Sequence, residues 1–224
     1  MKILLIEDEK PLAEVMMDFL KSQQHVVEWV VDLPDAEEKI GVYAYDCVLV
    51  DLMLPSGSGL TAIKLLKKQQ PEAGIIIISA KNALDDKIIG LDLGADDYLT
   101  KPFHLSELNA RLKSVGRRRQ FNGNTEIQHG QIRVYPDSFE VWVNNNGVSL
   151  TRKEYDLLMY LLANPNRILT KSAISEHLYG DDIDQADSFD FLYSQIKNLR
   201  KKLTEQGCLD YIQTIYGIGY KFVK

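Results

Sequence analysis

At 224 residues the chain is long for one domain and comfortable for two, since domains run roughly 100–200 residues; the hydrophobic fraction of 45% is enough for sizeable cores. A formal net charge of −6 argues against a uniformly basic nucleic-acid coat, but residues 1–116 carry 12 Lys/Arg against 19 Asp/Glu and residues 117–224 carry 14 against 13. The second half can therefore hold a local basic patch. Cys47 and Cys208 are the only cysteines, which excludes a disulfide framework and a CxxC metal site, and no stretch approaches the roughly 20 apolar residues of a membrane span, so a cytoplasmic protein with no membrane partner is expected.

In chain order, Ile3 to Ile6 reads as a buried strand ending in Glu7-Asp8-Glu9. Pro11 opens a helix to about Lys21, with Leu12, Val15, Met16, Phe19 and Leu20 on one face. Val26–Val31 is a second strand and Pro34–Val42 a second helix. Val48-Leu49-Val50 has the apolar, β-branched character of a strand buried on both faces and ends at Asp51, with Pro55, Gly57 and Gly59 as turn residues behind it. A helix from Gly59 to about Lys68, a strand Ile75–Ile78 ending in Ser79-Ala80, a helix over 84–93, a short strand Asp96–Leu99 and a helix from Ser106 to Val115 complete the first half. This alternation predicts a doubly wound α/β sheet with helices on both faces.

In such a sheet, ordered 2-1-3-4-5, the ligand crevice lies at the carboxyl ends of the strands, at the switch point between strands one and three. There the pattern gathers Glu7, Asp8 and Asp51 beside the Ser79 hydroxyl and the Lys101 ammonium. Crowded carboxylates repel unless a cation neutralises them, and a hard divalent ion with oxygen ligands, Mg²⁺ above all, suits the cluster. Asp51 is placed to attack a phosphoryl group in line, with Lys101 supplying a second positive charge.

Glu7-Asp8, Asp51 with Pro55 and Gly59, Ser79-Ala80, Gly94-Ala95-Asp96-Asp97-Tyr98 and Lys101-Pro102-Phe103 together make residues 1–116 resemble the flavodoxin-like receiver domain of a two-component response regulator. The resemblance implies that Asp51 accepts a phosphoryl group from a sensor histidine kinase, and that Glu7, Asp8, Asp51 and the Met53 carbonyl place Mg²⁺. It implies that Ser79 hydrogen-bonds the phosphoryl group, that Tyr98 turns inward behind it, and that Lys101 pairs with its oxygens. In the OmpR/PhoB-like subfamily, receivers form a homodimer through the fourth helix, fifth strand and fifth helix. The ion pairs of that face map here to Lys87 with Glu107, Asp97 with Arg111, and Asp96 with Arg118.

Residues 116–124 break the helical pattern and read as a polar linker over 117–124. The output half, 125–224, is expected to be α+β: strands Ile132–Tyr135, Glu140–Val143 and Val148–Leu150, then a helix capped by Thr151 with Glu154 in a capping box. A helix over Lys171–Leu178 follows, then a third from Ser188 to Leu203 whose Phe189, Leu192, Ile196, Leu199 and Leu203 share a core face. Its opposite face carries Asp190, Tyr193, Ser194, Lys197, Asn198 and Lys201, flanked by Arg200 and Lys202, whose four cations within six residues give a footprint suited to DNA phosphate. Tyr211–Thr214 and a Gly-cornered hairpin through Phe222 close a winged helix-turn-helix order.

Leu150–Leu158, Ile196–Leu203 and Gly217-Ile218-Gly219-Tyr220 resemble the winged-helix output domain of the same subfamily. This implies binding to double-stranded promoter DNA, with Ser194, Gln195, Lys197, Asn198, Arg200 and Lys201 facing the major groove, Thr214 and Tyr220 on backbone phosphate, Tyr216 at the wing, and the turn from Gly180 to Asp187 offered to RNA polymerase. Tyr193 and Gln195 stand where relatives often carry Asp-x-His, and Tyr216 where many place Arg. Acidic Asp181, Asp182 and Asp184 would repel phosphate at close range. The reading is a transcription factor switched by phosphorylation, not an enzyme. The alternative is the same fold regulating DNA without phosphorylation.

Overall fold

The structure, a computed structural model, describes residues 1–80, 84–121, 123–180 and 189–223. It divides into two compact units, Met1–Gly123 and Asn124–Lys224.

The first unit runs β1 (Lys2–Ile6), α1 (Lys10–Ser22), β2 (Val26–Val30), α2 (Leu33–Val42), β3 (Cys47–Val50), the ribbon β4 (Met53–Leu54) and β5 (Gly57–Ser58), α3 (Gly59–Gln69), β6 (Gly74–Ser79), α4 (Leu84–Asp92), β7 (Asp97–Thr100) and α5 (Leu105–Phe121). The five long strands are parallel in the order β2-β1-β3-β6-β7. With the β4–β5 ribbon set apart, this is the expected 2-1-3-4-5. Successive residues along each strand point to opposite faces, and both faces are covered. Leu4, Ile6, Val48, Val50, Ile75 and Ile77 pack with Ala36 and Ile40 of α2 and Ala62, Ile63 and Leu66 of α3. Ile3, Leu5, Cys47, Leu49, Ile76 and Ile78 pack with Met16 and Leu20 of α1 and Leu108, Leu112 and Val115 of α5. Two-sided burial is the reason these strands read as unbroken apolar runs.

The expected helix stop at Val115 is corrected: α5 continues through Gly116 to Phe121, across much of the segment read as a linker. A helical glycine costs about 1 kcal/mol relative to Ala. Here a Cβ would lie 2.9 Å from Met1 Sδ, so the missing side chain admits packing that holds the helix. Arg118 and Arg119 then tie the last turns to Asp96, where cations also suit the helix dipole. Gly123, at φ +78°, returns its N–H to the Arg117 carbonyl.

The second unit opens with an antiparallel sheet of β8 (Ile127–His129), β9 (Ile132–Tyr135), β10 (Glu140–Val143) and β11 (Asn146–Gly147). The strand expected at Val148–Leu150 is displaced. Asn144 and Asn145 adopt φ +49° and +70°, the signature of a tight primed turn, so the chain pairs at once and Asn146–Gly147 form the return strand. There follow α6 (Arg152–Ala163), β12 (Ile168–Thr170), α7 (Lys171–Tyr179), α8 (Asp190–Thr204), β13 (Ile212–Ile215) and β14 (Gly219–Phe222), with β14 pairing with both β12 and β13 in the order β12-β14-β13. This is a winged-helix unit.

The expected capping box is present at α6. Glu154 N–H donates to Thr151 Oγ1 at 3.4 Å, and Thr151 N–H donates to Glu154 Oε2 at 2.7 Å. Lys202 of α8 adds an ion pair to the same Oε2 at 2.7 Å. Thr151→Ala is therefore expected to lower stability by about 1 kcal/mol, read as a shift of the urea midpoint of the second unit without a change in slope; an unshifted midpoint would remove the cap's role.

Candidate phosphoacceptor site and nucleic-acid face

The carboxyl ends of β1, β3 and β7 meet as the strand endings predict. Glu7 is 1% and Asp51 6% exposed, while Asp8 reaches solvent. A ligand oxygen of each of the three lies within 4.8 Å of the other two. Lys101 closes the cluster. Its Nζ donates to Asp51 Oδ2 at 2.7 Å and to Glu7 Oε1 at 2.8 Å. The other Asp51 oxygen, Oδ1, accepts the Met53 N–H at 2.9 Å, which fixes the carboxylate against the β4 backbone.

The electrostatics are strained by burial. Desolvation holds the Glu7 carboxyl above its ordinary value of 4.5, although Lys101 and the Glu9 N–H act to lower it. Burial alone would lower Lys101, but hydrogen bonds from its ammonium to Asp51 and Glu7 outweigh that and raise it. Glu7 Oε2 is buried with no hydrogen bond and has only an ion-pair contact to Lys101 at 2.7 Å. A buried, under-coordinated carboxylate oxygen beside two further acids is a hard-oxygen donor set, and it fits Mg²⁺. A raised acid gives stability that is full below its unfolded value and is lost as pH rises through its folded value. Glu7→Gln is thus expected to flatten the fall in first-unit stability as pH rises from about 4 to neutrality, measured by urea unfolding; an unchanged pH slope would contradict the burial argument.

Ser79 at the end of β6 is fully buried, and its carbonyl accepts the Lys101 N–H at 3.0 Å. Tyr98 is turned inward at 5% exposure, with exposed Lys87 Nζ 5.8 Å from its ring centroid. On the face of α4, β7 and α5, the expected charges close pairs within the chain. Arg111 Nη1 donates to both oxygens of Asp97 at 2.8 Å, and its Nη2 to Glu107 Oε1 at 2.7 Å. Asp96 is held mainly by Arg119, from Nε to Oδ1 at 2.7 Å, and accepts the Ile75 N–H at 2.9 Å; Arg118 reaches only its carbonyl, at 3.3 Å.

In the second unit, Leu192, Ile196, Leu199 and Leu203 are the buried stripe of α8. Ser194, Lys197, Asn198 and Lys201 are exposed opposite it, Gln195 is half-buried, and Thr214 and Tyr216 are exposed beyond the helix. Two expected contacts sit differently. Arg200 is turned toward the hairpin, its Nη2 donating to the Ile212 carbonyl and to Thr214 Oγ1 at 3.2 Å, with Asp210 at 3.3 Å from Nε. Tyr220 is 6% exposed. The turn expected to meet RNA polymerase, beyond Gly180, lies outside the described residues, as do Asp181, Asp182 and Asp184.

The model of the family described as "Response regulator receiver domain" matches residues 3–113, and that of "Transcriptional regulatory protein, C terminal" matches residues 145–222. The chain is 40% identical to the transcriptional regulatory protein CiaR of Streptococcus pneumoniae, over 98% of this chain and 96% of that one. It is 34% identical to the response regulator protein PmrA of Pseudomonas aeruginosa, over 98% and 97%. The chain is a response regulator of the OmpR/PhoB family. Among solved structures, the receiver domain of Francisella response regulator 1452 superposes with a TM-score of 0.50 at 33% identity, covering 52% of this chain and 97% of that one. The response regulator is accordingly a transcription regulator of a two-component system, with a receiver and an OmpR-type DNA-binding domain.

Three ties in this response regulator escape a linear reading: Arg119 to Asp96, Lys202 to Glu154, and Lys171 to Tyr193 at 2.9 Å. Each joins residues distant in sequence, and nothing in the local pattern separates Arg119 from Arg118. Among the described residues no helix is long and apolar enough to cross a membrane.

Proposed function

We propose that this cytoplasmic regulator is switched by phosphorylation of Asp51 by a sensor histidine kinase, with Mg²⁺ held by Glu7, Asp8, Asp51 and the Met53 carbonyl. The observation that carries the reading is the bridging ammonium: Lys101 Nζ lies 2.7 Å from Asp51 and 2.8 Å from Glu7, with a third carboxylate alongside. In the resting chain both Asp51 oxygens are engaged, Oδ1 by the Met53 N–H and Oδ2 by Lys101. Attack on phosphorus frees Oδ2 as Lys101 moves to an incoming phosphoryl oxygen; the new O–P bond forms as the P–N bond to the kinase imidazole breaks. Bound Mg²⁺ would supply charge neutralisation to the transferring group. Buried Ser79 at the end of β6 then hydrogen-bonds the phosphoryl group while Tyr98 and Lys101 fix the changed surface.

The complementary charges of Lys87, Asp96, Asp97, Glu107, Arg111 and Arg118 support a two-fold receiver pair through α4, β7 and α5. The exposed face of α8 supports major-groove binding by Ser194, Gln195, Lys197, Asn198 and Lys201, with Thr214 and Tyr216 toward backbone and minor groove. Arg200 and Tyr220 act there chiefly by holding the hairpin against α8. RNA polymerase is the expected partner at the promoter.

The test is intact mass after incubation of wild type and Asp51→Asn with Mg²⁺ and a small phosphodonor. One phosphate on wild type alone, with a shift to dimer, is expected. Dimerisation and DNA binding of Asp51→Asn equal to the treated wild type would instead favour regulation without phosphorylation.

A further inference from the structure

Tyr193 is on the exposed side of the recognition helix, 40% exposed, and is the fourth residue of α8 (Asp190–Thr204). Lys197 and Lys201 follow it at four-residue steps, so the three share one face. A free surface tyrosine samples several rotamers, but this one is clamped. Its hydroxyl accepts a hydrogen bond from Lys171 Nζ at 2.9 Å, and the same ammonium lies 5.2 Å from the ring centroid.

Lys171 is itself anchored. It is the first residue of α7, and its backbone N–H donates to the Ile218 carbonyl in the wing at 3.3 Å. That approach depends on Gly219, where a Cβ would lie 2.0 Å from the Leu169 carbonyl oxygen. Wing, α7 and α8 therefore converge on one side chain, and the Tyr193 ring is presented to solvent in a fixed orientation. A rigid aromatic group loses little further freedom when it binds, and residues near the amino end of a recognition helix are those that reach base edges. The apolar feature a ring can meet in the major groove is the C5-methyl group of thymine. A cation beside the helix matches the backbone phosphates flanking the groove.

We infer that Tyr193, held by Lys171, reads a thymine methyl group in the major groove while Lys171 neutralises an adjacent backbone phosphate. The inference rests on the DNA-binding reading above and adds the base class and the two residues that recognise it. It also gives a structural sense to an aromatic residue at a position where relatives often carry Asp.

The test uses the full chain treated with Mg²⁺ and phosphodonor, a pool of duplexes randomised across the half-site, and a salt titration on one fixed duplex. Wild type is expected to select thymine at one position by about fourfold, the value of one buried methyl group. Tyr193→Ala is expected to lose that preference, and Tyr193→Phe, which keeps the ring, to retain it. Lys171→Met is expected to reduce the slope of log affinity against log salt by about 0.9, one phosphate's worth. Equal base preferences for wild type and Tyr193→Ala, or an unchanged slope for Lys171→Met, would overturn the inference while leaving DNA binding intact. Failure of wild type to bind any duplex at low salt would overturn the DNA-binding reading and this inference with it.

Discussion

Lys101→Met is expected to lower first-unit stability by about 3 kcal/mol at neutral pH, and added Mg²⁺ is expected to return much of that loss. The ammonium is 14% exposed and is the cation bonded to Glu7 and Asp51. Its removal leaves two buried carboxylates facing each other, and an uncompensated buried charge is far more costly than an ion pair is favourable. The pH response follows. The raised Lys101 contributes stability that is full below its ordinary value of 10.5 and is lost only as pH rises through its folded value, so wild type keeps it at neutrality. Without it, the groups that lower Glu7 shrink to the Glu9 N–H, and the acid moves further up. The variant should therefore be less stable at neutral pH than in mildly acidic solution, where the raised acid takes up its proton. Urea unfolding with and without Mg²⁺ at the two pH values reads both effects. A variant as stable as wild type, or one indifferent to Mg²⁺, would refute the assignment of Lys101 as the internal counter-ion and of the acids as the metal's ligands.

Gly59→Ala is expected to be the other severe change, on the order of 3 kcal/mol, at the top of the usual range for overpacking. A Cβ at Gly59 would lie 2.0 Å from the Asp51 carbonyl oxygen and 2.9 Å from Val50 Cγ2. The first neighbour is backbone and cannot rotate away. Relief requires the start of α3 to separate from the end of β3, which also breaks the Gly59 N–H bond to the Leu52 carbonyl at 3.1 Å and moves Asp51 relative to Lys101. The substitution should thus lower both the urea midpoint and the rate of phosphoryl uptake. A folded variant that takes up phosphate at the wild-type rate would show that this approach does not position Asp51.

The parts of the molecule that could be read from sequence are those where one strong local pattern decides. β3 is apolar throughout, and β1 and β6 carry the unbroken runs Ile3–Ile6 and Ile75–Ile78, because both faces are covered, and their carboxyl ends name Glu7, Asp51 and Ser79 directly. The α6 capping box is likewise a four-residue signal. The misread parts are those where a distant contact decides. Gly116 looks like a stop until Met1 is packed against it. β8 and β12, three residues each, exist only through their partners. Arg200 has the sequence signature of a groove-facing cation, yet the carbonyl of Ile212 and the hydroxyl of Thr214 turn it inward.

The closure of Arg111 on Asp97 and Glu107 within one chain has a bearing on how the regulator comes apart. A receiver pair built on Asp97–Arg111 contacts exchanges a bond inside the chain for the same bond across the two-fold axis. For that one contact the number of ion pairs is unchanged, so it adds little salt dependence to the proposed receiver pair. Docking on DNA differs, because each neutralised phosphate expels condensed counterions. Under the proposed function, rising salt therefore acts on DNA contacts more strongly than on the Asp97–Arg111 contact, because the arginine already has its partner within the chain.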